Sequence, residues 1–259
     1  MTPFETNALD QLTALANKYT TAEDREKLAA DIAGADRIDG KSVYVRQQWQ
    51  LDQLDVATAR QAAVLILFGA LDNIHADYRD SAVPKDLDLL FVQRASTLSK
   101  HPGQVAFPGG KVDSTDASPV AAALREAQEE TGLDPDGVEV LCSLPLTPLP
   151  VTNFLVTPVM GWWTKPSDIF VVSETESQRV FRAPVADLVN PENRYMATLQ
   201  RGEMTHKSPG FAVCGTLVWG FTGFLVDRLL TDLGWAQPWD RQRPITPPQA
   251  ESNPKLPPR

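Results

Sequence analysis

The chain has 259 residues, room for one large domain or a domain with appendages, and its 42% apolar and 22% charged residues are ordinary for a soluble globular protein. A formal charge of −9 argues against DNA or RNA as a bulk partner, because non-specific nucleic-acid affinity needs a basic surface. A small polyphosphate remains compatible with that charge, since a bound metal ion reverses the local field.

Only two cysteines occur, Cys142 and Cys214, in no recognisable motif, and they read as reduced, buried thiols of an intracellular protein. No apolar run follows a basic patch at the N-terminus, and the longest apolar stretch, 62–71, is far short of a membrane span. The expected setting is soluble and cytoplasmic, with no membrane partner.

In chain order, residues 4–38 are helix-like: Leu9, Leu12, Leu15 and Ala16 recur at helical spacing, and Leu28, Ala29 and Ile32 continue after a polar break at Thr20–Thr21. Two short helices are expected there, as a packing appendage or a subunit contact, which leaves a homodimer open. From Arg60 the period changes. Residues 62–71 and 87–95 read as strands, as do Val138–Leu144 and Thr152–Trp163, the last with Pro158 marking an edge or a bulge. Ile169–Val172, Arg179–Phe181 and Ala212–Trp219 add short strands, and Phe221–Leu233 is an amphipathic closing helix. From Gly234 the chain is Pro-rich and reads as extended or disordered. Strands around one or two helices make a mixed α/β domain. The boundaries expected are a helical extension over 1–55, the main domain over 56–233 and a tail over 234–259.

The chemistry concentrates in residues 103–133, GQVAFPGGKVDSTDASPVAAALREAQEETGL. Gly109 and Gly110 permit close approach of backbone to ligand. Ser118 reads as an N-cap, Pro119 as the first helical residue and Gly132 as the stop. On the helix between them, Val120, Ala123, Leu124 and Ala127 form an expected apolar stripe beside Glu126, Glu129 and Glu130. Like charges at i, i+3 and i+4 repel, so their clustering points to a cation, and oxygen ligands without His or Cys suit Mg²⁺ or Mn²⁺. Arg125, four residues before Glu129, is placed to orient that carboxylate.

This pattern resembles the Nudix box, G-x5-E-x7-R-E-U-x-E-E-x-G-U, matched by Gly110, Arg125, Glu126, Ala127, Glu129, Glu130, Gly132 and Leu133. Asp116 stands where the box has its first Glu, with eight rather than seven residues before Arg125. LFVQRASTLSKHPGQVAFPGG (90–110) is similar to the segment marking the coenzyme A pyrophosphatase branch, with Ser99 where that branch has a second arginine. FLVTPVMG (154–161), SETESQRVFRAPVADL (173–188) and LVWGFTGFL (217–225) resemble its downstream segments, so the likeness covers about 60–233.

The resemblance implies a Nudix fold, an α/β/α sandwich around a mixed β-sheet, and metal-dependent hydrolysis of a nucleoside diphosphate linked to another moiety. In the coenzyme A branch the products are 3′,5′-ADP and 4′-phosphopantetheine; ADP-ribose, NADH or a nucleotide sugar, or nucleotide sensing without cleavage, are the alternatives. Glu126, Glu129 and Glu130 are the expected metal ligands. Arg125, Glu126, Glu129 and Glu176 are the expected catalytic residues, with Glu174 a further loop acid. Arg94, Lys100, His101, Gly109, Gly110 and Lys111 are the expected substrate contacts. His75 and His206 read as surface residues, and Trp162, Trp163, Trp219 and Phe154 as core.

Overall fold

The structure is a computed structural model, and it describes residues 3–20, 37–38, 41–42, 58–70, 86–98, 101–201 and 204–248. In chain order these hold α1 (Pro3–Thr20), β1 (Arg37–Ile38), β2 (Lys41–Ser42), β3 (Arg60–Ala70), β4 (Leu87–Arg94), β5 (Val105–Ala106), β6 (Gly109–Lys111) and α2 (Pro119–Thr131). There follow β7 (Val138–Ser143), β8 (Thr147–Leu149), β9 (Phe154–Trp163), β10 (Ser177–Pro184), α3 (Val185–Val189), β11 (Arg194–Arg201), β12 (Met204–Val213), β13 (Thr216–Val218), α4 (Gly220–Asp232) and β14 (Pro244–Ile245). The chain divides into two compact units, one of Thr6–Phe68 and Pro108–Asp168, the other of Met1–Glu5, Gly69–Phe107 and Ile169–Arg259.

The first unit is built on β3 and β9, which run parallel from Arg60↔Phe154 to Phe68↔Trp162. Their inner residues are buried nearly without interruption, which explains why both read as apolar runs rather than alternations. β6 pairs antiparallel with β3, Gly109 opposite Val64, while β7 and β8 pair antiparallel with β9. Pro158 is not on an edge. It lies between the last pair of β9 with β7, Ser143↔Val159, and the first with β8, Thr147↔Val156. There the Leu144 N–H donates to the Pro158 carbonyl at 2.8 Å, so this side of the ladder needs only the acceptor that proline keeps. The register shift falls in the partner β7, between Val140 and Cys142. Trp162 and Trp163 are core, as expected, and the Phe154 ring lies under the Arg60 guanidinium at 4.2 Å.

α2 packs on β6 and β9. The Ser118 side chain accepts from the Ala121 N–H, Pro119 opens the helix, and Gly132 closes it at φ 71. The buried face is Ala122, Ala123, Ala127 and Thr131, whereas Val120 and Leu124 of the expected stripe are only half-buried. Methyl-sized side chains let the helix approach the strands closely, and the larger residues turn to its flanks.

In the second unit β4 pairs antiparallel with β10 and with β5. The Phe91 ring stacks between Phe107 at 4.9 Å and Phe181 at 5.7 Å. A separate four-stranded sheet runs β13–β12–β11–β14, with α4 packed on β12. The eight-pair β11–β12 ladder is absent from the sequence reading because its strands are largely polar and lack a clean apolar alternation. Residues 212–219, expected as one strand, are the end of β12 and all of β13, joined by a tight turn with Cys214 at φ 51 and Gly215 at φ 72. Two successive positive φ values suit a two-residue hairpin. Ile169–Val172, also expected as a strand, has no strand partner among the described residues.

α1 buries Ala8, Leu12, Leu15, Ala16 and Tyr19; the second helix expected around Leu28–Ile32 lies outside the described residues, as does His75. The segment 234–248 is largely without regular structure but anchored: Trp235 is 2% exposed and β14 pairs with β11. Both cysteines are thiols outside any disulfide, half-buried rather than buried as expected, and His206 and Trp219 are half-buried. Among the described residues no helix is long and apolar enough to cross a membrane.

Candidate functional site

Close contact between α2 and β6 builds the site. A Cβ on Gly110 would stand 2.4 Å from the Glu126 carboxylate, and one on Gly109 would stand 2.3 Å from the Ala63 carbonyl oxygen. Gly109 also has φ +155, a conformation that side chains disfavour. With both side chains absent, Glu126 lies over Gly110 and the Gly109 N–H donates to Glu130 Oε2 at 3.0 Å.

Arg125 organises the acids on its flank. Its Nε and Nη2 donate to the two oxygens of Asp116, each at 2.9 Å, a bidentate pair. Nη1 donates to Glu129 Oε2 at 2.9 Å and lies 3.3 Å from Glu126 Oε1, and Nη2 donates to the Lys111 carbonyl at 3.2 Å. Asp116 is therefore the partner of Arg125. The loop before the helix closes in a turn in which the Asp116 N–H donates to the Asp113 carbonyl and the Asp113 N–H donates to Asp116 Oδ2. Asp113, which the sequence reading passed over, also meets Lys111 Nζ at 3.2 Å and Arg125 Nη2 at 3.9 Å. Its signal was the Asp-x-x-Asp spacing directly after the glycine pair.

Five carboxylates, Asp113, Asp116, Glu126, Glu129 and Glu130, thus share this region with two cations, Lys111 and Arg125. The Asp116 carboxyl is held below its usual range by the hydrogen bond from Arg125, helped by the Asp113 N–H. Arg125 is held above its ordinary value, chiefly by Asp116. Glu126 is pushed up, first by burial and then by the like charges of Glu129 and Asp113, against the pull of Arg125. A half-buried carboxylate with a raised pKa beside two further glutamates suits a divalent cation, and an all-oxygen donor set suits Mg²⁺ or Mn²⁺.

The expected ligand triad is nevertheless not closed: among the described residues no three acidic, His or Cys side chains stand together as an ion-holding group. Glu129 points to Arg125 and Glu130 to the Gly109 N–H. The helix supplies the donors on one face, and local hydrogen bonds separate their carboxylates.

The other predicted residues belong to the second unit. Arg94 ends β4 opposite Ser177, its Nε buried without a hydrogen-bond partner in the described residues. The next residue, Ala95, donates its N–H to the Glu176 carbonyl at 2.8 Å, which brings Arg94 and Glu176 together. Glu174 and Glu176 are exposed. His101 adopts φ 54 with Nδ1 3.0 Å from Gln104 Oε1. Ser99 and Lys100 lie outside the described residues. A pocket of about 490 Å³ lined by Pro191, Glu192, Pro238, Trp239, Asp240 and Arg243 contains none of the predicted site residues.

Residues 80–196 match the family model described as the NUDIX domain. The chain is 39% identical over 181 residues to the uncharacterized Nudix hydrolase NudL of Enterobacter sp. strain 638, covering 70% of this chain and 86% of that protein. It is 42% identical over 147 residues to the protein of the same name from Cronobacter sakazakii, covering 56% and 75%. This chain belongs to the Nudix hydrolase family, and its mixed α/β class is the one expected from sequence. Solved structures similar to it include a MutT/nudix family protein from Enterococcus faecalis, with a TM-score of 0.40 at 18% identity over 68% of this chain and 63% of that one. The NUDIX domain of Shewanella oneidensis NrtR complexed with ADP ribose gives 0.35 at 18% over 55% and 86%.

Proposed function

We propose that the chain is a metal-dependent pyrophosphatase acting on a nucleoside diphosphate linked to another moiety, with coenzyme A or its acyl derivatives as substrate and 3′,5′-ADP and (acyl-)4′-phosphopantetheine as products. The observation that carries the reaction class is the acidic face of α2 seated on the glycine pair of β6, with Arg125 anchored by Asp116. Support for the substrate comes from the sequence of 90–110 and the segments after it.

Glu126, Glu129 and Glu130 would hold Mg²⁺ or Mn²⁺, which when bound supplies charge neutralisation at the diphosphate and activation of water. The chain's own residues then have separate tasks. Asp116 fixes Arg125, and Arg125 orients Glu129 and Glu126. Glu126, held towards neutrality by burial, and Glu176 in its exposed loop are the two carboxylates assigned to proton transfer from water. Arg94, Lys100, His101 and Lys111 supply positive charge or donors to the substrate's phosphates.

The test is a hydrolysis screen with Mg²⁺ and Mn²⁺ against coenzyme A, acetyl-coenzyme A, ADP-ribose, NADH and a nucleotide sugar, with products resolved by chromatography. Release of 3′,5′-ADP from coenzyme A at the highest kcat/KM is the expected result. Preference for another diphosphate would keep the reaction class and reject the substrate. Failure to cleave any of them would favour a nucleotide-sensing module.

A further inference from the structure

The pocket of about 490 Å³ away from the acidic helix lies where the turn before β11 meets the segment before β14. Pro191, Pro238 and the half-buried Trp239 give it an apolar wall, and Glu192 and Asp240 stand at it as exposed acids. That wall is fixed from behind: the Arg194 guanidinium lies 4.6 Å from the Trp239 ring and is itself held by Asp227 of α4. Arg243, the cation in the lining, is engaged. Its Nη1 donates to the Glu192 carbonyl at 2.8 Å and lies 3.6 Å from Glu192 Oε2, and its Nη2 donates to the Tyr195 hydroxyl at 2.8 Å. The pocket thus presents an indole and two proline rings under a rim of net negative charge. Aromatic and proline surfaces of this kind suit polyproline segments, and the acidic rim suits one that carries basic residues.

We propose that this pocket takes a basic proline-rich segment, and that its occupant is residues 254–259 of the same chain, Pro-Lys-Leu-Pro-Pro-Arg. Those residues lie outside the described ones, and their chemistry and place in the chain match the pocket. At three residues per turn, polyproline II geometry puts Pro254 and Pro257 on one face, towards the rings. Lys255 and Arg259 bring two positive charges to Glu192 and Asp240. Proline fixes φ beforehand, so less chain entropy is lost on docking. The reach is sufficient. Arg243 in the lining stands five residues before Pro248, and 249–253 supply five more before Pro254, so at about 3.4 Å per residue the linker can retrace the distance it must cover. Ser252-Asn253-Pro254 is turn-forming, as a returning chain requires. Tethering on a linker this short gives an effective concentration on the order of millimolar, enough to fill a weak site.

The probe is a peptide of sequence 249–259 with both ends blocked, titrated into the isotope-labelled full chain while NMR follows the Trp239 indole N–H. The chains compared are the wild type, a variant with Pro254→Ser, Pro257→Ser and Arg259→Ser, and that variant with Glu192→Gln and Asp240→Asn added. Asn keeps the side-chain oxygen that accepts from the Gln242 N–H, and Glu192 is exposed, so circular dichroism and Tm should not change. The triple variant lacks the tethered competitor and should bind the peptide about tenfold more tightly than the wild type. Neutralising the two acids should weaken that binding about fivefold, and high salt should shrink the difference. In the wild type alone the Trp239 signal should not shift on dilution. Absence of binding to the triple variant, binding that leaves the Trp239 indole unmoved, or indifference to loss of the two acids overturns the pocket assignment. Equal affinity in wild type and triple variant, or a Trp239 signal that shifts on dilution, overturns 254–259 as the occupant within its own chain. None of these readouts involves hydrolysis, so the proposed activity can fail without this proposal failing.

Discussion

Arg125 holds both carboxylate oxygens of Asp116, each at 2.9 Å, from a position nine residues further along the chain. Asp116 thereby ties the loop between β6 and α2 to the helix that carries the glutamates. Its side chain is only 6% exposed, while Glu129, on the other edge of the same guanidinium, is 57% exposed. The inner acid sets the arginine, and the arginine sets the outer acid.

Replacing Asp116 by Asn keeps the shape and removes the charge. Activity should fall by about 10–100-fold, the scale seen when a partner that orients a ligand is lost, and Asp116→Glu should restore part of it. The pH dependence of stability gives a second readout. The folded-state pKa of Asp116 is depressed, so its contribution is present above the unfolded-state value and is lost as pH falls through the folded one. Urea unfolding of the wild type should therefore converge on that of Asp116→Asn as the solution is acidified. A constant gap down to strongly acidic pH would contradict the assignment.

The two glycines of β6 should separate in their effects. Gly109→Ala meets backbone at φ +155 and should cost about 1–3 kcal/mol, seen as a lower Tm. Gly110→Ala meets the Glu126 carboxylate, the end of a flexible side chain, and should leave Tm nearly unchanged. Because it displaces that carboxylate, it should still reduce turnover by about 10²-fold. Differential scanning fluorimetry and kcat on the same preparations make the comparison.

Each of Glu126→Gln, Glu129→Gln and Glu130→Gln should preserve the far-UV circular dichroism and lower kcat by at least about 10²-fold. Chelation of the wild type should abolish turnover, and added Mg²⁺ or Mn²⁺ should return it. A Glu129→Gln protein that hydrolyses substrate at the wild-type rate would remove Glu129 from the ligand set.

Arg194 tests the four-stranded sheet. Its side chain is 0% exposed and pairs with Asp227 of α4, between the Phe211 ring at 4.3 Å and the Trp239 ring at 4.6 Å from Cζ. Burial pushes its pKa down against the pull of Asp227. Nε and Nη1 find no hydrogen-bond partner in the described residues. Asp227→Leu alone should cost about 3–5 kcal/mol by stranding that charge, whereas Arg194→Met with Asp227→Leu should recover most of it. Denaturant midpoints of the two variants would show an equal loss if the pair were not the cause.

By itself, the sequence determined those features whose causes are local. The α2 helix was legible from Ser118 to Gly132 because its cap, first-turn proline and terminating glycine are sequence neighbours. The buried runs of β3 and β9 were legible because a strand covered on both faces is apolar throughout. Helical spacing alone put Glu126, Glu129 and Glu130 on one face.

Tertiary structure decided whatever depends on partners distant in the chain. Pro158 looked like an edge residue and lies between two ladders, because β7 ends and β8 begins opposite it. Helical spacing allowed more than one apolar stripe, and close approach to β6 selected the alanines over Val120 and Leu124. Ile169–Val172 has strand chemistry, yet strand formation requires a partner and the described residues provide none. Asp116 became the anchor of Arg125 only in the folded loop, where the Asp113–Asp116 turn sets its carboxylate against a guanidinium nine residues further on. Propensity and periodicity act through neighbours along the chain, whereas pairing, burial and ion-pair choice are settled by which distant segments meet.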